Sequence, residues 1–279
     1  MRNFHRLVIA SLLISFAIPT LGGCARWRKM RSLRVEGHAT PAADFMPIKG
    51  EAVTADRFTA VDIENLNGSV SVRVSDRVDK ASVYARARWF GGYNQDEWEE
   101  VRNEDWVVAE HVIENGNSIL RVLSQATPDV TPPVRTEIQV ILPRCDGVFI
   151  RNAGGDVTVI GAGGAHTIES GFDYGRGGHI EVRTSRDIND PINLRTSDGY
   201  IDLVLGPNSA GTLDIQTDSG LVSFGSKFGK TTNVRVEPLR WTGVWNDSSN
   251  PITLRTLNGN ARVRVVDRPE RYSTGLHWR

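Results

Sequence analysis

Cysteine and methionine are scarce in this 279-residue chain, at two and three copies, and neither sign of charge is in excess. Two cysteines can build neither a disulfide-stapled scaffold nor a four-cysteine zinc site. Thirty-three bases balance thirty-three acids, so the basic surplus of a nucleic-acid binder is missing and nucleic acid is not an expected partner. Recognisable catalytic signatures are missing too. G-x-S-x-G occurs nowhere, and GAGG (161–164) matches neither the dinucleotide nor the phosphate-loop pattern. His111, His166 and His179 are scattered without metal-ligand spacing and read as surface histidines. No metal or other cofactor is expected. What the chain does have is glycine, 27 residues of it, with 39% apolar residues to form a core. That is the composition of a glycine-punctuated β protein.

The first residues give an address. Arg2 and Arg6 precede an apolar run at 7–18 that is too short to span about 30 Å of hydrocarbon as a helix but suits a signal-peptide core. Leu21, Gly22, Gly23 and Cys24 follow, and this LGGC resembles the lipobox of bacterial lipoproteins. The resemblance implies cleavage after residue 23 and acylation of Cys24, with two or three chains giving the stable anchoring that one would not. Ala25 after the cysteine implies, by the same resemblance, the outer membrane. Cys145 then has no partner within one mature chain.

The expected organisation is a signal peptide at 1–23, an acylated cysteine and tether at 24–50, and a β region at 51–143. Repeats over 144–266 and a tail at 267–279 complete it. The tether carries Arg26, Arg28, Lys29, Arg31 and Arg34 against Glu36, which suits either anionic headgroups or plain solvation. Beyond residue 36 the chain has 26 bases and 32 acids, so overall neutrality hides a basic tether and an acidic body.

The repeat carries most of the fold information. VDIENLNGSV (61–70), VFIRNAGGDV (148–157), INLRTSDGYI (192–201), LDIQTDSGLV (213–222) and ITLRTLNGNA (252–261) superimpose without a gap. Each reads as strand, tight turn, strand, with Gly68, Gly155, Gly199, Gly220 and Gly259 at one turn position that needs positive φ. A degenerate copy is expected near Ile168, resuming at Gly178, and another at Val234 and Val236. The steps are then about 20 residues, one solenoid rung each. The expected fold is all-β, with a parallel β-solenoid at 144–266 in which Asn152, Thr196, Thr217 and Thr256 form a polar ladder at the corner, each side chain bonding the next. A β-sandwich or meander of hairpins is the competing fold. The front half is expected to be sandwich-like or made of irregular coils, with a short helix over 93–105.

EIQVILP (137–143) followed by VFIRNAGGDVTV, RTSDGYIDL and QTDSGLVSF resembles the putative-adhesin domain family of bacterial envelope proteins, across residues 55–266. The resemblance implies a β-solenoid that serves as a non-enzymatic surface or periplasmic scaffold. The runner-up is a polysaccharide lyase or hydrolase on a parallel β-helix, needing two carboxylates about 5–9.5 Å apart. Asp198, Asp202 and Asp218 could supply them, although Asp198 and Asp218 are also good turn formers. Arg151, Arg183, Arg195 and Arg255 could form a basic stripe, but interspersed acids favour a mixed-sign face. Trp89, Tyr93, Trp98, Trp106, Trp241 and Trp245 are the candidate binding aromatics, weighed against capping the ends of the β core. Envelope glycan or another surface protein is the expected partner, beside the membrane itself.

Overall fold

In the computed structural model, residues 34–36, 59–88, 107–124, 135–171 and 176–272 are described. Signal peptide, Cys24 and most of the tether lie outside them, as do Trp89, Tyr93, Trp98, Trp106 and the segment 93–105. The described residues are all-β, with no α-helix among them.

In chain order the strands are β1 (Arg34–Glu36), β2 (Ala60–Asn65), β3 (Val70–Val74), β4 (Ser82–Arg88), β5 (Val107–Glu114), β6 (Asn117–Ser124) and β7 (Arg135–Leu142). Next are β8 (Gly147–Asn152), β9 (Gly155–Ile160), β10 (Ala165–Ser170), β11 (Gly177–Thr184), β12 (Ile192–Asp198) and β13 (Ile201–Leu205). The last are β14 (Gly211–Ser219), β15 (Val222–Ser226), β16 (Thr231–Glu237), β17 (Arg240–Trp245), β18 (Pro251–Asn258) and β19 (Ala261–Val265).

They form two sheets. One runs β1-β4-β7-β3-β9-β11-β13-β19-β15, the other β16-β17-β14-β18-β12-β10-β8-β2-β6-β5. Parallel neighbours need long connections, and here each connection is itself a strand of the opposite sheet. Each repeat therefore places its first strand in the ten-stranded sheet and its second in the nine-stranded one. Seven such layers stack in parallel, including the degenerate copy at β10 and β11. Both sheets run through the boundary at 143/144, since β2 pairs with β8 and β3 with β9.

Period-2 alternation turns one set of side chains inward, and the parallel register stacks like on like. Ile63, Ile150, Ile168, Leu194, Leu254 and Ile215 form one continuous buried row. Val72, Val140, Val159, Val182, Leu203 and Val263 form the facing row. Burying each such side chain stabilises by roughly 1.5–3 kcal/mol, and a register slip by one residue would turn the whole row out to water.

The layers do not stack in sequence order. The β18–β19 layer lies between β12–β13 and β14–β15, and the β2–β3 layer lies between β6–β7 and β8–β9. Equivalent units expose equivalent edges, so the repeat pattern alone does not fix which are neighbours. PINLRT and PITLRT, the two most alike, stack directly, with Ile192 on Ile252 and Thr196 on Thr256. The expected copy at Val234 and Val236 is not a layer. It belongs to β16, which pairs antiparallel with β17, and the two valines are exposed. Antiparallel strands also end the stack elsewhere, β5 against β6 and β4 against β7.

Candidate functional site

The repeat corner is built from six glycines and six polar side chains. Gly68, Gly155, Gly199, Gly220 and Gly259 have φ of 120°, 108°, 107°, 150° and 134°. Their side of the turn is closed by the layer beneath. A Cβ on Gly155 would lie 2.4 Å from the Gly68 carbonyl oxygen, and one on Gly259 would lie 2.2 Å from that of Gly199. Gly178 completes the series through close approach alone, 2.3 Å from the Gly155 carbonyl carbon.

The same carbonyls accept side-chain hydrogen bonds. Asn65, Asn152, Ser170, Thr196, Thr256 and Thr217 are buried and in register along the ten-stranded sheet. Asn65 Nδ2 donates to the Thr136 carbonyl (3.1 Å) and Asn152 Nδ2 to that of Gly68 (3.0 Å). Ser170 Oγ donates to Gly155 (2.9 Å), Thr196 Oγ1 to Gly178 (2.8 Å), Thr256 Oγ1 to Gly199 (2.9 Å) and Thr217 Oγ1 to Gly259 (2.8 Å). The ladder is thus mostly side chain to turn carbonyl. Only Asn65 and Asn152 bond side chain to side chain, at 3.1 Å. The expectation of side chains bonding one another is corrected here, because a Thr hydroxyl on this strand lies nearer the neighbouring turn's carbonyl.

The residues after the turn glycines form a second, more exposed row. Asp156 Oδ1 accepts the His179 backbone N–H (2.8 Å), His179 Nδ1 accepts that of Tyr200 (3.0 Å), and Asn260 Oδ1 accepts that of Leu221 (2.9 Å). The His179 and Tyr200 rings stack with centroids 3.8 Å apart. Both rows serve the stack itself, and the turn residues Asp198 and Asp218 are part of the same corner.

Asp202 differs. It faces outward on β13 yet is 3% exposed, and its Oδ1 has no hydrogen-bond partner. Burial pushes its carboxyl above the usual range, against the pull of Arg262 and Arg264. Glu181 is its neighbour on β11 and is bonded to Arg183. Close by, the chain after β19 folds back over this face. Pro269 is buried in a 3-10 turn at Pro269–Arg271, Glu270 Oε1 accepts both the backbone N–H and the Oγ of Ser185 (2.6 Å each), and the Arg264 guanidinium lies 5.1 Å from the Tyr272 ring.

Three of the four arginines of the expected stripe share one row, Glu64, Arg151, Glu169, Arg195, Arg255 and Gln216. Signs alternate from Glu64 to Arg195, where Arg195 lies 3.2 Å from Glu169; Arg255 stacks directly on Arg195 and has Asp214 of the neighbouring strand at 3.9 Å. Arg183 is on the other sheet and does not belong to the stripe.

Two expectations change on burial. Trp241 and Trp245 are 7% and 0% exposed, so neither is a surface binding aromatic. They close the last layer over Phe224, whose ring lies 4.8 Å and 6.3 Å from theirs. His166 is no surface histidine either. It stands in the core row between Val148 and Ile192, its Nδ1 against the Gly164 carbonyl at 2.9 Å and its Nε2 unpartnered. Burial lowers its pKa to about 4. The polarity of one inward position in an apolar strand was the available sign. Cys145 is also in the core, its thiol donating to the Gly147 carbonyl (3.1 Å) and pushed up to about 11 by burial.

The open surface lies at the β15 end. A groove of about 740 Å³ runs between β15, β19 and Tyr272, and includes Lys227, Phe228, Arg262 and Arg264. Leu221, Phe228, Val236 and Leu239 are exposed nearby in the sequence, at 71%, 38%, 68% and 43%.

No family model matches the chain, and no curated relative does. Among solved structures, one described as a putative cell adhesion protein from Clostridium sporogenes ATCC 15579 is 9% identical with a TM-score of 0.42, over 85% of this chain and 100% of that one. A second, described as a putative adhesin from Bacteroides fragilis NCTC 9343, is 10% identical with a TM-score of 0.27, over 85% of this chain and 98% of that one.

Proposed function

We propose that the chain is a lipid-anchored protein of the cell envelope, whose layers form a flattened two-sheet β-solenoid that acts as a non-enzymatic binding and structural module. The observation that carries this reading is the corner. Six stacked polar side chains and six closely approaching glycines are committed to holding one layer on the next, so the sequence effort goes into rigidity. A rigid stack presents wide faces at fixed spacing, which is what a display scaffold needs.

The anchoring half of the reading comes from the LGGC at 21–24 and the basic segment after it. Replacing Cys24 with Ala is expected to move the protein from the membrane fraction to the soluble one; unchanged fractionation would refute acylation. The binding half is tested on a glycan array, with envelope glycan and surface proteins as the partner classes.

One observation favours a second reading. Asp202 and Glu181 are register neighbours on β13 and β11, and burial raises the Asp202 carboxyl above its usual range, as the general acid of a glycan-cleaving enzyme requires. Turnover of an envelope polysaccharide that disappears in Asp202→Asn would establish it and overturn the non-enzymatic reading.

A further inference from the structure

Three of the four sheet ends finish in antiparallel strands laid on the outermost parallel layer. At one end β4 and then β1 finish the nine-stranded sheet, and β5 the ten-stranded sheet. At the other, β17 and then β16 finish the ten-stranded sheet on β14. The fourth end is β15, whose only strand partner among the described residues is β19. Ala261 N–H bonds to the Leu221 carbonyl, so in the parallel pattern the odd residues of β15 face β19. The N–H and C=O groups of Val222, Phe224 and Ser226 therefore face the open edge. Open edges of this kind are templates for another strand.

The surroundings select what that strand carries. On the outer face of the sheet, the edge borders the groove with Lys227, Arg262 and Arg264. Its acid, Asp267, is 3.6 Å from Arg268, and Asp202 lies across on β13, which leaves a surplus of two positive charges. Gly225 keeps this face clear, since a Cβ there would meet nothing within 4 Å. On the inner face the neighbour is Phe224, stacked on Trp241. A strand with acids on one face and apolar residues on the other fits both. A second copy of this chain fits less well, because it would bring a second set of the same cations to the same face.

We propose that the free edge of β15 is a docking strand, which takes an extended segment of another protein with alternating acidic and apolar residues by β-strand addition. Main-chain hydrogen bonds to Val222, Phe224 and Ser226 supply the pairing, and the cationic groove supplies selectivity. This deepens the binding-module reading by naming a partner class for it. Its test is independent of acylation and of glycan binding, so its failure leaves those results standing.

The probe is a fluorescein-labelled peptide, Glu-Val-Glu-Val-Glu-Val-Glu, titrated with the full chain in detergent and followed by fluorescence anisotropy. It is expected to bind at least about tenfold more tightly than its Lys-Val counterpart. N-methylation of alternate amides is expected to abolish binding in one phase and spare it in the other, because only one edge of the peptide faces β15. Gly225→Glu, which places an acid in open space and takes the surplus from two charges to one, is expected to narrow the preference for the acidic peptide; Lys227→Glu, on the exposed turn, takes the surplus to zero and is expected to remove that preference. Equal binding of the two peptides, no binding of either, or equal effects of both methylation phases would overturn the proposal. So would a sedimenting dimer that excess acidic peptide fails to dissociate, which would assign the edge to a second copy.

Discussion

At the scale of single residues, two buried groups set measurable limits. His166 binds a proton at a pKa of about 4 in the folded protein, against 6.5 for an ordinary histidine. The unfolded chain therefore takes up the proton first as pH falls. Its contribution is complete above about pH 6.5 and is lost progressively down to about pH 4, an expected loss of about 3 kcal/mol. Urea unfolding across that range should show it, and His166→Leu should flatten that part of the profile. Cys145 is held protonated well past neutrality by the same burial. A thiol reagent at pH 8 should leave it unmodified in the native protein and label it in denaturant. The corner gives a third case. Thr196→Val keeps the shape but leaves the Gly178 carbonyl without its donor, at an expected cost of about 1–3 kcal/mol. Thr196→Ser should restore most of it, since the bond needs only the hydroxyl.

At the scale of elements, the strand-turn-strand units were legible because apolar alternation and a glycine at fixed spacing leave few other readings. The polar row was legible in part. Asn152, Thr196, Thr217 and Thr256 stood out by their shared position; Asn65 holds the same position in VDIENLNGSV, and only Ser170, in the degenerate copy, was hidden by its spelling. What those side chains bond was not legible, because acceptors on a neighbouring layer have no fixed distance in sequence. The β16–β17 hairpin shows the opposite difficulty. Its valines alternate like a repeat, yet Asn233 at φ 52° and the register shift between Thr232 and Arg235 turn it into a lid for the core. Trp245 is its buried centre. Trp245→Ala should cost about 3–5 kcal/mol by urea unfolding, more than any surface tryptophan could.

At the scale of the whole molecule, the order of layers was beyond the reach of periodicity. A repeat tells that units stack and leaves open which unit meets which. The structure joins the halves of the chain in both sheets, at β2–β8 and β3–β9. A fragment that begins at residue 144 would expose both of those edges at once. Expressed alone, it is expected to aggregate, and a monodisperse, protease-resistant 144–279 fragment would show that the junction contributes little.

The out-of-order layers also bear on how the chain can be made. The β14–β15 layer leaves the ribosome before β18–β19, yet β18–β19 is what joins it to β12–β13. Until residues 251–265 emerge, the hairpin-capped end has no parallel neighbour and waits beside an unfilled slot. The last layer synthesised is a keystone: it does not lengthen the arch, it locks two finished pieces together. A further unit placed after it would find the slot filled and, in the ten-stranded sheet, only the antiparallel β16–β17 pair to join.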